Sequence, residues 1–64
     1  MSENEAVYRH LMQIQRKYSR YFIESNTNVF DAVQIVWTPL TLFILDYNLP
    51  AEIRAEIQDI VNEV

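Results

Sequence analysis

Between Ala32 and Leu45 the chain reads AVQIVWTPLTLFIL, fourteen residues without a charge in a sequence of 64. Such a run has to be covered. It is too short to span a bilayer, which takes roughly 20 apolar residues, so it reads as a core element packed on most of its sides. One short helix on each flank offers little cover for it. The sequence therefore describes a protomer that completes its core against a second copy or another protein.

Size sharpens this expectation. A domain of this length buries only about 60% of the surface its unfolded chain exposes. A core below roughly 70 residues seldom supplies more than about 3–5 kcal/mol, and natural chains of this size lean on disulfides, a metal or oligomerisation. Cysteine is absent and His10 is the lone histidine, which excludes disulfides and leaves too few of the Cys and His ligands that a four-coordinate structural zinc site draws on. Oligomerisation is the support that remains.

Half of the residues are hydrophobic and 22% are charged, a composition that folds. The net charge of −4 has the wrong sign for binding nucleic acid through overall charge. The opening MSENEAVYRH has no basic stretch leading into an apolar segment, so we expect no signal or transit peptide there and no membrane association. With no cysteine to suggest an oxidising compartment, the expected location is cytoplasmic.

Glycine is missing altogether, and tight hairpin turns usually need it or Asn-Gly to reach positive φ. That favours an all-α fold. Ser2 and Glu5 make a capping-box pattern at the start of a helix over about residues 3–24. Val7, Leu11, Ile14, Tyr18 and Tyr21 line one stripe of it, widened by Tyr8, Met12 and Phe22. The polar segment Glu24–Asn28 reads as a turn. In the central run β-branched and aromatic residues would also suit strands. The polar positions Asp31, Gln34, Thr38 and Thr41, spaced three, four and three, gather within about 80° on a helix and so argue for one. Pro39 interrupts it. The expected helices are thus about 29–37 and 39–47, with Thr38-Pro39 as a stop and restart, and a last helix at about 50–63 opened by Pro50. Leu49, Ile53, Ile57, Ile60 and Val64 form its apolar side. Residues 1–64 are expected to form a single domain, a bundle of three to four short helices completed by homo-oligomerisation.

Little in this sequence carries chemistry. Nucleophilic catalysis needs a nucleophile, a base and an orienting group. The serines are Ser2, Ser19 and Ser25, and His10 falls beside a polar helix face. We expect no catalytic residues, no cofactor and no metal. Glu52, Glu56, Asp59 and Glu63 share one strip of the last helix, but di-iron bundles use Glu-x-x-His pairs, which are absent. The strip reads as a solvated face or the rim of an interface with a basic partner.

Arg9, Gln13, Arg16 and Arg20 form a strip with the same spacing on the first helix, with Lys17 beside it. Tyr18 and Tyr21 adjoin these arginines, and Trp37 sits beside the Pro39 break. Aromatic side chains and arginine are enriched at interfaces, so Arg9, Arg16, Tyr18, Arg20, Tyr21 and Trp37 are the candidate partner-binding residues. Val36, Leu40, Phe43 and Ile44 are the candidate oligomer core. The function expected is a small non-enzymatic interaction module, a homodimer that binds and regulates a larger macromolecule. One alternative is an oligomer that sequesters an anionic small molecule, such as a nucleotide, between Arg and Tyr of neighbouring protomers. The other is a small nucleic-acid-associated factor using the same basic strip.

Overall fold

The computed structural model describes residues 3–64, so the expected Ser2 cap lies outside the described residues. Helix α1 (Glu3–Lys17) is followed by α2 (Ser19–Glu24), a single turn α3 (Val29–Ala32), strands β1 (Val33–Trp37) and β2 (Leu40–Ile44), and helix α4 (Ala51–Glu63). The all-α expectation is therefore wrong in the middle of the chain. Helices at 29–37 and 39–47 are replaced by one helical turn and an antiparallel hairpin.

The physical reason lies at Thr38-Pro39. These two residues reverse the chain with neither at positive φ, Asn26 being the described residue that takes it, and Pro39 brings a ring-fixed φ and no N–H for a helix. The absence of glycine therefore does not forbid a tight hairpin. The polar spacing misled for a related reason. Pairing runs Val33↔Ile44, Gln34↔Phe43, Ile35↔Leu42, Val36↔Thr41 and Trp37↔Leu40. A two-residue reversal switches the facing parity between strands, so Gln34 and Thr41 share a face in the hairpin just as they do on a helix. Once the turn removed the need for a helix, the β-branched and aromatic content of VQIVW and LTLFI set the outcome.

The outer helices follow their apolar stripes. Val7, Leu11 and Ile14 of α1, Phe22 of α2, and Ile53, Ile57 and Ile60 of α4 are buried, as is Leu49 ahead of α4. The hairpin lays its inner face on this core: Val33 and Leu42 are buried, and Ile35, Trp37, Leu40 and Ile44 pack against it half-buried. The expected first helix of 3–24 is two helices, because Tyr18 leaves helical geometry at φ −112°, ψ 33°. Ser25-Asn26-Thr27 ends α2 as a Schellman motif: Thr27 N–H donates to the Phe22 carbonyl at 3.0 Å, Asn26 N–H to that of Ile23 at 3.2 Å. Asn26 takes the left-handed conformation, φ 57°, where glycine is commonest. Asn28 then caps α3 by accepting from Asp31 N–H at 3.1 Å. The Gln15 side chain of α1 accepts the Val29 N–H at 2.7 Å.

One copy has an accessible surface of 4459 Å². A folded monomer of 7.6 kDa is expected to show about 4300 Å². A helix through the central run would have needed cover all round, whereas a hairpin needs it on one face, and the chain's own helices provide that. What remains uncovered is the outer face, with Phe43 and Leu45 each 51% exposed. Among the described residues no helix is long and apolar enough to cross a membrane.

Candidate functional site

Three surfaces hold the residues singled out from the sequence. The first is the seam where α1 and α2 meet α4. The Tyr18 hydroxyl donates to the Glu56 carboxylate, Lys17 Nζ lies 3.1 Å from the same oxygen, and the ammonium also sits 5.4 Å from the Tyr18 ring centre. Three residues on, the Tyr21 hydroxyl donates to Asp46 Oδ2 at 3.0 Å. The other oxygen of Asp46 accepts the Asn48 N–H at 2.9 Å. Arg54 completes the loop by donating to the carbonyls of Tyr47 at 3.3 Å and Leu49 at 3.1 Å.

These bonds set the titration of the seam. Hydrogen bonding to Tyr18, followed by the bond to and charge of Lys17, outweighs burial and lowers the Glu56 carboxyl. The bond to Glu56, then burial, raises the Tyr18 phenol. Burial first, and then the bond to Asp46, raises Tyr21. Lys17 is raised chiefly by its hydrogen bond to Glu56. Tyr18 and Tyr21, picked out as a ligand platform, thus face inward and fasten the helices to α4 and to the loop before it.

The groove between α1 and α4, of about 320 Å³, is lined by His10, Gln13, Ile14 and Lys17 opposite Glu56, Asp59, Ile60 and Glu63. The acidic strip of α4 therefore borders α1. Among the described residues no three His, Asp or Glu side chains converge as metal ligands do. The Ser25 hydroxyl is engaged at the end of α2, with the Tyr21 carbonyl at 2.8 Å and Thr27 Oγ1 at 2.8 Å.

The second surface is the outside of α1. Arg9 and Arg16 border an open groove with Glu5, Tyr8, Met12 and Gln13. Arg20 stands apart on α2, its side chain 91% exposed and 3.9 Å from Glu24. The arginines and tyrosines are neighbours in sequence, but they look in opposite directions.

The third surface is the hairpin. Val36 and Phe43 lie on its outer face with Gln34 and Thr41, while Leu40 and Ile44 lie on the inner face against the core. The four candidate oligomer-core residues therefore do not form one patch. Leu45 continues the outer face beyond Phe43, its N–H bonded to the Ala32 carbonyl at 2.7 Å. Beside β1, the Tyr8 ring lies 5.9 Å from that of Phe30, just before the strand, and 5.9 Å from that of Trp37 at its end. Tyr8, Phe30 and Met12 are 45%, 40% and 48% exposed. Sequence reasoning placed Tyr8 and Met12 at the edge of the core stripe and gave Phe30 and Leu45 no role. The available signal was the alternation Val33-Ile35-Trp37, which assigns the intervening residues to an outer face.

No family model, curated protein or solved structure matches this chain.

Proposed function

We propose that the protein is a non-enzymatic interaction module that associates with itself and binds and regulates a larger macromolecule. One observation carries this reading: the apolar outer face of the hairpin, where Phe43 and Leu45 stand exposed beside the half-buried Val36. Taking roughly 100 Å² for each half-exposed side chain, Phe43 and Leu45 leave about 200 Å² of apolar surface open on that face, and Tyr8, Met12 and Phe30 leave about 300 Å² beside β1. Contiguous patches of a few hundred Å² mark interaction sites on small proteins. Arg9, Arg16 and Arg20 stay exposed on α1 and α2, where they can face a larger partner. The reading supposes the cytoplasm, since a chain without cysteine gains nothing from an oxidising compartment.

The test is molar mass by light scattering over a dilution series, paired with recovery of a stoichiometric protein from native extract. A one-copy mass at every concentration and no partner would refute the proposal. The nucleotide-clamp alternative draws no support from Tyr18 and Tyr21, whose hydroxyls are engaged within the chain. A nucleotide panel read by thermal shift checks it, because a ligand at 100 times its dissociation constant adds about 2.7 kcal/mol.

A further inference from the structure

We propose that a second copy of this chain pairs along the free edge of β1, antiparallel about a two-fold axis near Ile35, so that two hairpins join into one four-stranded sheet. This rests on the self-association proposed above and names the surface that performs it.

The sheet has two strands, so each strand has one edge without a strand partner. The two edges are not equivalent. Helix α4 packs against β2, and what α1 places beside β1 is the Tyr8 ring on Trp37. Edge strands are usually guarded against pairing by lysine, proline or an inward charge. VQIVW has none of these, and its residues are among those that favour pairing.

Charge permits a copy of the same chain as the occupant. On a two-fold axis a residue meets its own copy, so pairing centred on the acidic strip of α4 or on the arginine strip of α1 would set like charges together. For a molecule of net charge −4, Ala32–Leu45 is the stretch through which identical chains meet without repulsion. Pairing centred on Ile35 sets Val33 opposite the partner's Trp37 and Gln34 opposite the partner's Val36. It sets Asp31 opposite the partner's Pro39, so the acid at the end of the run meets no other charge.

Area agrees. About 300 Å² of apolar side chain per copy from Tyr8, Met12 and Phe30 beside β1, plus the main-chain edge, puts the pair below about 1,200 Å², in the range of weak, reversible association. An interface of that size dissociates over a measurable dilution range. Paired edges also continue the outer face, joining Phe43 and Leu45 of both copies into one surface.

The experiment uses the full chain, which has no native cysteine, so single-cysteine variants each carry one thiol. Residues directly opposite across antiparallel strands have Cβ atoms about 4.5–5.5 Å apart, close to disulfide range. Ile35→Cys should cross-link to a dimer on mild oxidation, while Ile23→Cys and Tyr47→Cys, at exposed positions elsewhere, should not. The double variant Gln34→Lys, Val36→Lys places lysine opposite lysine. It should weaken association at least tenfold by sedimentation while its circular dichroism stays near that of the parent and its melting temperature loses its dependence on concentration. A dimer that survives this variant and cross-links through residue 23 or 47 would overturn the β1 edge and leave self-association standing. A parent chain with the mass of one copy up to 100 µM would overturn both.

Discussion

The seam between the helices and the hairpin use the same kinds of residue to opposite ends. At the seam Tyr18 and Tyr21 turn inward, and each hydroxyl finds a carboxylate on another element. On the hairpin Phe43 and Leu45 turn outward, each about half exposed. An aromatic residue with a polar tip can join two elements of one chain because its buried ring and its hydroxyl are both satisfied there. An aromatic or aliphatic residue left bare on a sheet keeps its gain for a partner. The lesson is that aromatic content alone does not locate an interface in so small a protein. The side the backbone gives each residue does.

The sharpest break of this comparison comes from two neighbours on β2. Leu42→Ala removes a side chain only 3% exposed and should cost about 2–5 kcal/mol by chemical denaturation. Phe43→Ala, one residue on, should move stability by only about 0.5 kcal/mol in dilute solution. Equal losses would contradict the facing of the strand. Next, Asn26→Val should lower stability by about 1–2 kcal/mol, since a β-branched residue strains the left-handed conformation, whereas Asn26→Gly should be tolerated. Differential scanning calorimetry of the pair reads the contrast. Tyr21→Phe deletes the bond to Asp46 and should cost about 0.5–1.5 kcal/mol, seen as a small drop in melting temperature, with the molar mass across a dilution series unchanged from that of the parent.

The smallest expected effect is the pH dependence of the seam. Glu56 is held below its ordinary value, so its contribution is present above the normal carboxylate range and fades as pH falls through the lowered value. Tyr18 and Tyr21 are raised, so theirs is complete below about pH 10 and fades as pH climbs through the raised values. Thermal melts should show a plateau between these limits. In Tyr18→Phe the acid limb should become shallower, because the first cause of the Glu56 shift is gone.

The two ends of the fold were legible because Val7-Leu11-Ile14 and Leu49-Ile53-Ile57-Ile60 repeat at helical spacing, and these residues are buried. The division at Tyr18 was not. No proline or glycine marks it, and Tyr18 lies near the point where its side chain reaches Glu56 on another helix, a contact 38 positions away in sequence. The hairpin was hidden because Gln34 and Thr41, seven apart, share a face in both readings, so the evidence used to choose between them could not discriminate. Of the candidate site, Arg9, Arg16, Arg20 and Phe43 are exposed. The partners of the tyrosines depend on Asp46 and Glu56 arriving from distant segments, and local spacing carries no record of that.

Asn26 shows how a turn that commonly takes glycine is closed here without it, and the whole chain contains none. Average usage of about 7% would put roughly four or five glycines in a chain of this length. Each replacement at a compatible position narrows the denatured ensemble by about 0.4–1 kcal/mol. Stiffness of the disordered chain therefore contributes on the order of 2–4 kcal/mol, as much as a core this small supplies by packing.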